Sequence, residues 1–487
     1  MLRKIFSTTG LLVAAVVSLQ LAINYLRADD AKTPAAKTAA LTKENNEAVR
    51  ALLTKANPQF FTAAKLNDIS TSPCANSLSR LALYGLTNPV VRDTLDQARM
   101  GMTQPPQSAA PTTNFWYGAA TVEDLVTRMI GQGLTWCTAL PTIVGNNDDG
   151  LKYIGVMYWF FYQNQAGMRF AHGQSAKPPY DRFPDGFNYF KEFSIETGAF
   201  MDSPASAGNV KQWVDDPRVE IQDYEKTKVS EYTSWNDFFT RALKTENKGG
   251  KVTIPSRPVT MPDRDYVVSA PTDCIMNPLI QAMNPTTSAS APPKFIDNPL
   301  QADTVLDIKN MPMSVAQILQ GVPSAIAQTF VGGTGLSCIL MPNTYHHYHA
   351  PVSGTVVYAA VVGGPTFGYY DWTNLMPSNH NPAQLGTDFT QFEIYQRGVV
   401  IIAVGDPAKP IGYVASIPVG LDTIGSVILN KAIIPGSGPA PKVTRGITEI
   451  GYFQYGGSMN LLLFSKNLVT ASIQTRMGNQ IAIINSQ

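Results

Sequence analysis

The second half of the chain consists of short apolar segments rich in β-branched residues, each bounded by glycine or proline. They follow Arg257-Pro258 and read DYVVSAP, GTVVYAAVV, GVVIIAV, IGYVASIPV, TIGSVIL, MNLLLF and QIAIIN. Segments of this length and composition are typical of strands, and the glycines and prolines between them are typical of turns. We therefore expect an antiparallel β domain over residues 231–487.

Residues 44–230 have a different pattern, which predicts a mixed and largely helical domain. Thr121 and Asp124 form a capping box, and apolar residues follow them at helical spacing. A second box, Ser234 with Asp237, opens the segment WNDFFTRALK. The predicted fold class is α+β, with the helical domain first and the β-rich domain second.

Composition agrees with this division and excludes one class of partner. A length of 487 residues suggests two or three domains. Charged residues make up only 15%, while 35 prolines and 37 glycines suit a turn-rich, β-heavy protein. The formal charge of +1 gives no electrostatic reason to expect nucleic-acid binding.

The N-terminus has the pattern of an export signal. Leu2-Arg3-Lys4 is followed by an uncharged, mainly apolar run from Ile5 to Leu26. We interpret residues 1–30 as a signal peptide or a signal anchor, and residues 31–43 as a linker. Leu-Arg-Ala before Asp29 is a poor cleavage site, so the segment could be retained as a membrane anchor. The alternative to an export signal is that this run forms a buried core helix. An exported chain would be periplasmic, or membrane-anchored and facing away from the cytoplasm.

The chain has four cysteines, an even number that permits two disulfides in an exported protein. Pairing within each half would join Cys74 to Cys137 and Cys274 to Cys338, which is one of three possible connectivities. Alternatively, the four residues are small buried apolar side chains.

Three motifs of the β-rich half contain side chains suited to nucleophilic chemistry. They are Asp273 in SAPTDC, the histidines His346, His347 and His349 in MPNTYHHYHAPVSGTV, and Ser458 after Gly456-Gly457. Aspartate, histidine and serine are the parts of a nucleophile-activating triad. Ser458 is followed by Met459-Asn460 and not by a Gly-x-Ser-x-Gly elbow, so an α/β-hydrolase fits badly.

The glycine before Ser458 suggests that the serine attacks its own chain. A serine hydroxyl can attack the preceding carbonyl, here that of Gly457, to give an ester by an N-to-O acyl shift. Glycine permits the strained backbone that this attack requires. Elimination from the ester cuts the chain, and hydrolysis of the resulting dehydroalanine leaves an N-terminal pyruvoyl group. The alternative is an ordinary tight turn.

These motifs, in this order, resemble the phosphatidylserine decarboxylase family of pyruvoyl-dependent, self-processing enzymes. The resemblance spans roughly residues 235–465, through FFTRALK, Arg257-Pro258, VVSAPTDC, MPNTYHHYHAPVSGTV, IGSV and GYFQYGGSMNLLLF. It implies that Ser458 is the self-cleaving serine and the precursor of the pyruvoyl cofactor, and that Gly457 supplies the scissile carbonyl. It also implies that Asp273 is the maturation aspartate and His349 the base of the triad.

The resemblance implies a carboxy-lyase that converts phosphatidylserine to phosphatidylethanolamine through a Schiff base, at or near a membrane. His346 would assist decarboxylation or protonate the carbanion. For His346 and His349 to reach one site, their segment must bend or bulge. The cleaved small subunit, residues 458–487, would stay bound as a partner by strand pairing and apolar burial.

Three departures from the family pattern put the substrate in question. Thr344, His347 and Cys274 stand where the family has aspartate, arginine and glycine. The helical half resembles the extra domain of a subgroup that includes relatives acting on free aromatic amino acids, so such an amino acid is the second candidate substrate. A non-catalytic exported binding protein is a further alternative. The histidine cluster could bind zinc or copper, but it lacks a clear fourth ligand, and we expect no metal.

Overall fold

The architecture comes from a computed structural model. It describes residues 47–102, 116–141, 143–144, 147–148, 164–171, 173–278, 280–281, 294–295, 305–308, 311–340, 343–362, 366–368, 392–394, 397–420, 427–454 and 458–469. The predicted export segment (1–30), the linker (31–43) and Gly457 lie outside these residues, as does the predicted strand QIAIIN. Among the described residues, no helix is both long enough and apolar enough to cross a membrane.

The first part of the chain is helical, as predicted. After helical residues 47–56, the helices are α1 (Ala63–Thr71), α2 (Ala75–Thr87), α3 (Pro89–Met100), α4 (Val122–Trp136), α5 (Gln165–Ala171), α6 (Tyr189–Asp202), α7 (Val210–Val214) and α8 (Trp235–Phe239). Both predicted capping boxes begin a helix, because Thr121 Oγ1 accepts from the Asp124 amide (3.2 Å) and Ser234 Oγ from the Asp237 amide (3.1 Å). The helix after Ser234 is short and ends at Phe239.

Helices α2 and α4 supply the centre of the helical core. Their apolar faces bury Leu78, Leu81, Leu125 and Ile130 completely, and removing these side chains from water is the main force that holds the two helices together. A disulfide joins Cys74, just before α2, to Cys137, just after α4, so the first predicted pairing is confirmed. The second pairing is not formed, because Cys274 and Cys338 are free thiols.

A seven-stranded sheet organises the second part of the chain. Its order is β18 (Lys442–Val443), β12 (Gly354–Val362), β15 (Arg397–Asp406), β16 (Lys409–Gly420), β20 (Ser458–Phe464), β10 (Thr334–Leu340) and β5 (Ile275–Pro278). Every neighbouring pair in it is antiparallel. The α+β class, with a helical part followed by an antiparallel β part, is thereby confirmed.

Both faces of this sheet are covered, which explains the near-continuous apolar runs of its inner strands. On one face, Leu461 and Leu463 of β20 pack with the short helices α9 (Val315–Ile318) and α10 (Ser324–Ala327). On the other face, Leu462 and Phe464 pack against a three-stranded sheet. That sheet has the order β11 (His347–His349), β19 (Glu449–Phe453) and β17 (Val427–Leu429).

The remaining strands form small sheets at the periphery. They are β1 (Ile143–Val144) with β2 (Asn147–Asp148), β3 (Glu246–Lys248) with β4 (Lys251–Thr253), β13 (Thr366–Gly368) with β14 (Phe392–Ile394), and a sheet of β6 (Ile280–Gln281), β7 (Lys294–Phe295), β8 (Val305–Ile308) and β9 (Met311–Ser314).

The predicted strand DYVVSAP (265–271) is wrong, because this segment forms turns and extended backbone without a ladder. Its polar backbone groups have other partners. The buried side chain of Arg445 donates to the carbonyl of Thr260 (3.0 Å) and to the hydroxyl of Ser269 (2.6 Å). The amide of Ser269 donates to the Pro351 carbonyl (2.9 Å). These bonds fix the segment that leads into Asp273.

Candidate active site

Ser458 begins β20, an interior strand of the large sheet. Its backbone is paired with Leu340 of β10 on one side and with Gly420 of β16 on the other. The apolar run behind it is held along both edges, because each residue from Met459 to Phe464 also has a partner on β10 and on β16. The backbone of Ser458, the residue that directly follows Gly456-Gly457 in the sequence, is therefore held from both sides.

Asp273 lies two strands away from Ser458. Strand β5 pairs with β10 so that Ile275 is opposite Ile339. In the same register, the residue after Asp273, Cys274, falls opposite Leu340, whose other neighbour is Ser458. Adjacent strands are about 4.8 Å apart, so the backbones of Asp273 and Ser458 are separated by roughly 10 Å. Asp273 and Ser458 therefore lie at the same end of the large sheet.

The histidine motif is attached directly to the segment that carries Asp273. The amide of His349 donates to the Pro271 carbonyl (2.7 Å), and the hydroxyl of Thr272 donates to the Tyr345 carbonyl (3.0 Å). These two bonds hold the residues before Asp273 against the two ends of the Tyr345–His349 stretch. The structure thus brings the predicted aspartate and the predicted base together.

The hydrogen bonds of His349 define the form of its imidazole. Nδ1 lies 3.0 Å from the Ile447 carbonyl, which can only accept, so Nδ1 carries the proton. Nε2 lies 2.9 Å from the Tyr345 hydroxyl, which donates to it. Burial lowers the pKa of His349 below its ordinary 6.5. The Ile447 bond and the charges of Glu449 and Asp273 oppose this shift without cancelling it. His349 is therefore neutral and basic at Nε2.

The lowered pKa of His349 predicts how self-cleavage depends on pH. A base works only when it is unprotonated. Because its pKa lies below the ordinary histidine value of 6.5, His349 stays unprotonated to a lower pH than an ordinary histidine does. We expect the cleavage rate to be maintained as the pH falls through 6.5 and to drop only in more acidic solution. The measurement follows fragment formation by freshly synthesised precursor between about pH 4.5 and pH 8. An acid limb with its midpoint at or above 6.5 would contradict this assignment.

Asp273 is held by an arginine whose role the sequence did not indicate. Arg257 Nε lies 2.9 Å from each carboxylate oxygen of Asp273. The same guanidinium reaches Asp223 (2.7 Å) and Glu220 (3.0 Å), in the chain segment just before the family motifs. Partial burial alone would lower the pKa of Arg257, but the hydrogen bonds and charge of Asp273, together with Asp223, raise it. Arg257 therefore remains charged and fixes the direction of the Asp273 carboxylate.

This arrangement differs from the simple triad expected from the sequence. We expected Asp273 to orient the His349 imidazole, but the Ile447 carbonyl holds Nδ1 instead. The reason is that Asp273 has a competing partner, since its two oxygens face the planar fork of Arg257. The charge of Asp273 only slightly opposes the lowering of the His349 pKa by burial.

Replacing Arg257 should slow self-cleavage. In Arg257→Lys the charge remains but the planar fork is lost, so we expect cleavage to slow about 10-fold. In Arg257→Gln the carboxylates of Asp273, Asp223 and Glu220 lose their common cation and repel one another, so the loss should be larger. Arg264→Gln is the matched control, because Arg264 is exposed. Rates are read from fragment formation on denaturing gels. Equal rates of self-cleavage for the wild type and Arg257→Gln would contradict the role of Arg257 in holding Asp273.

The other two histidines of the motif have different surroundings. His346 is buried and stacks on Phe239, with 3.7 Å between ring centroids, and burial, with a smaller contribution from the charge of Arg241, lowers its pKa. His347 stacks on Tyr345 (5.1 Å) and lies 3.1 Å from Glu449. The ladder has a bulge at Tyr348 and His349, with the extra residue on β19. His347 and His349 contact the Tyr345 ring, whereas His346 packs against Phe239 of α8, so the bulge does not bring His346 and His349 together as expected.

Comparison with known proteins agrees with this site. Residues 235–483 match the sequence profile of phosphatidylserine decarboxylase, which covers about half of the chain. The chain belongs to the phosphatidylserine decarboxylase family. Its members are carboxy-lyases made as self-processing proenzymes, and they depend on a pyruvoyl group.

Similar curated proteins include three phosphatidylserine decarboxylase proenzymes. The one from Clostridium perfringens (strain SM101) is 25% identical over 317 residues, which are 64% of this chain and 90% of that protein. The one from Ruminiclostridium cellulolyticum is 27% identical over 298 residues, 60% of this chain and 81% of that protein. Proenzyme 2 of Komagataella phaffii is 24% identical over 275 residues, 56% of this chain and 22% of that protein. Each match leaves over a third of this chain uncovered.

The residues of the site fit the pyruvoyl group that the family uses. The group must come from a serine of the chain itself, and Ser458 follows a glycine and starts a strand fixed on both edges. Its formation needs a neutral base, and the hydrogen bonds and burial of His349 provide one. A charge-stabilising carboxylate is also needed, and Asp273 is fixed beside the histidine strand.

Proposed function

We propose that this protein cuts itself between Gly457 and Ser458 and then converts phosphatidylserine to phosphatidylethanolamine through a Schiff base. One observation carries the proposal. The start of β20, the residue after Asp273 and the His349 strand converge at one end of the large sheet, through the β10 register and the His349–Pro271 bond. A binding protein on this scaffold would have no use for that convergence.

Proton transfer in the precursor would run through His349. Nε2 is the unprotonated position of the ring, and it accepts a hydrogen bond from the Tyr345 hydroxyl. Burial raises the pKa of Tyr345, so its phenol stays protonated and can serve only as a donor or a relay. As His349 takes the proton of Ser458, the negative charge of Asp273 stabilises the cation that forms.

In the decarboxylation, the pyruvoyl group would supply a carbonyl that binds the substrate amine and withdraws electrons as carbon dioxide leaves. The chain's own residues would enclose the reacting carbon and return a proton to it. His349 and Tyr345 are bonded to each other and, through the Pro271 carbonyl and the Thr272 hydroxyl, to the residues before Asp273. That His346 assists this step stays a prediction.

The substrate test compares phosphatidylserine with free amino acids. Purified full chain is incubated with phosphatidylserine vesicles, or with phenylalanine, tyrosine or tryptophan, and carbon dioxide is measured. We expect release only with the vesicles. Release only with an aromatic amino acid would establish the alternative substrate, and the helical part outside the family match is the feature that keeps this alternative open. Release with neither, from protein that has not cut itself, would favour the binding protein.

We also propose that the protein works outside the cytoplasm, with residues 1–30 as a signal or an anchor. The Cys74–Cys137 disulfide supports this, because such bonds persist in oxidising compartments. Cell fractionation of the full chain, with and without residues 1–30, tests it. Recovery of both forms in the cytosol would contradict it.

A further inference from the structure

The two free cysteines lie side by side next to the proposed site. Cys274 directly follows Asp273 and precedes β5, and Cys338 lies on β10 opposite Met276. Because side chains alternate along a strand, Cys274 shares a face with Met276 and hence with Cys338. The two cysteines are diagonal neighbours across the β5–β10 ladder, with their Cα atoms roughly 7–8 Å apart and their side chains on one face.

Packing confirms that the two thiols face the same way. Cys274 packs on the core cluster between the large and the three-stranded sheets, and Leu336 and Leu340, which flank Cys338 on its face of β10, belong to that cluster. Cys338 is the neighbour with the largest effect on the pKa of the Cys274 thiol, which it raises. Cys338 is completely buried, whereas Cys274 is partly exposed.

We propose that Cys274 and Cys338 form a second disulfide when the folded protein meets a disulfide-type oxidant. A disulfide requires Cα atoms within about 6.8 Å of each other, so β5, the last strand in the order of the sheet, would have to move about 1 Å toward β10. The chain already holds one disulfide, Cys74–Cys137, so its folded form is compatible with oxidising conditions.

The difference in exposure sets the order of the exchange steps. The Cys274 thiol loses its proton, and the thiolate attacks one sulfur of the oxidant, displacing the other as a thiolate. The Cys338 thiolate then attacks the Cys274 sulfur and displaces the second oxidant thiolate. In total the two cysteines lose two protons and two electrons, and the oxidant disulfide becomes two thiols. Contact with Cys338, then burial, raises the pKa of Cys274, so the reaction should accelerate at alkaline pH.

The bond would join the residue after Asp273 to the strand that pairs with Ser458. Cys338 is opposite Asn460, two residues into β20. A covalent link here would fix β5 on β10 and so restrain Asp273 relative to the start of β20. This consequence rests on the proposed function, whereas formation of the bond does not.

The experiment oxidises the full-length protein with oxidised glutathione and counts thiols by intact mass after alkylation. We expect both free thiols to disappear together, with a loss of about 2 Da relative to the reduced pair. A tryptic peptide pair joining residues 274 and 338 should appear, and the melting temperature should rise by several degrees. The Cys74–Cys137 bond is an internal positive control for the mapping.

The variant Cys274→Ser separates the possible outcomes and should fold, because the side chain is partly exposed and nearly isosteric. In this variant Cys338 should stay alkylatable after unfolding and the rise in melting temperature should be absent. Two thiols still free in the oxidised wild type, or glutathione retained on Cys274 beside a free Cys338, would overturn the proposal. Ser458→Ala protein should form the same bond, so failure of the disulfide and failure of self-processing are distinguishable.

Discussion

The Ser458→Ala protein should remain a single uncut chain of 487 residues and release no carbon dioxide from phosphatidylserine. The wild type should instead give a long fragment ending at Gly457 and a short one of 30 residues, 458–487, whose first residue has no free amine. Alanine has no hydroxyl to attack the Gly457 carbonyl, so neither the cut nor the pyruvoyl group can form. Denaturing gels and intact mass measure the cut, and trapped carbon dioxide measures the activity.

Ser437→Ala is the matched control for this substitution. Ser437 also follows a glycine, Gly436, but it lies in an exposed loop segment without strand structure. Its loss should leave both cutting and carbon dioxide release unchanged. The assignment of Ser458 fails if the Ser458→Ala chain is cut at the same place, or if it decarboxylates phosphatidylserine while uncut.

The His349→Gln protein should fold but cut itself at least about 100-fold more slowly, because glutamine can hydrogen-bond yet cannot take up a proton. The polar neighbours of His349, the Ile447 carbonyl and the Tyr345 hydroxyl, can both bond to a side-chain amide. The loss should therefore be kinetic, and the melting temperature should change little. Fragment formation over time gives the rate.

His347→Gln is the control, since His347 also contacts the Tyr345 ring but its Nε2 is bonded to the Thr240 carbonyl (2.9 Å). We expect less than about a 10-fold change for it. If the His347→Gln protein cuts itself as slowly as the His349→Gln protein, the hydrogen bonds of His349 do not identify it as the base. The proton path that we propose through its Nε2 would then be incorrect.

The sequence predicted the β-rich half and the identity of the site motifs because their signals are local. Alternating and continuous apolar runs, capping serines and threonines, and a glycine before a serine can each be recognised within a few residues. The prediction of strand β20 and of the two capping boxes needed nothing further. We predicted the first disulfide only from the even number of cysteines in a chain expected to be exported, and from pairing the cysteines within each half of the chain.

The sequence did not predict contacts made across long chain separations. Nothing local shows that Arg257 binds Asp273, or that the Ile447 carbonyl holds His349. DYVVSAP has the composition of a strand but forms none. Arg445, which lies far along the chain, donates hydrogen bonds to the backbone carbonyls of residues just before this segment. The resemblance to the family implied that His346 is in the site, but Phe239 stacks on its ring. In each case a tertiary partner decided the outcome.

The position of β20 between β10 and β16 has a consequence for the lifetime of the enzyme. The short chain made by the proposed cut begins with an interior strand of the sheet, so withdrawing it would split the sheet into a four-stranded piece and a two-stranded piece. A molecule whose keto group had been damaged could not be repaired by exchanging a fresh short chain for the old one. The cell would have to replace it by synthesising a new precursor.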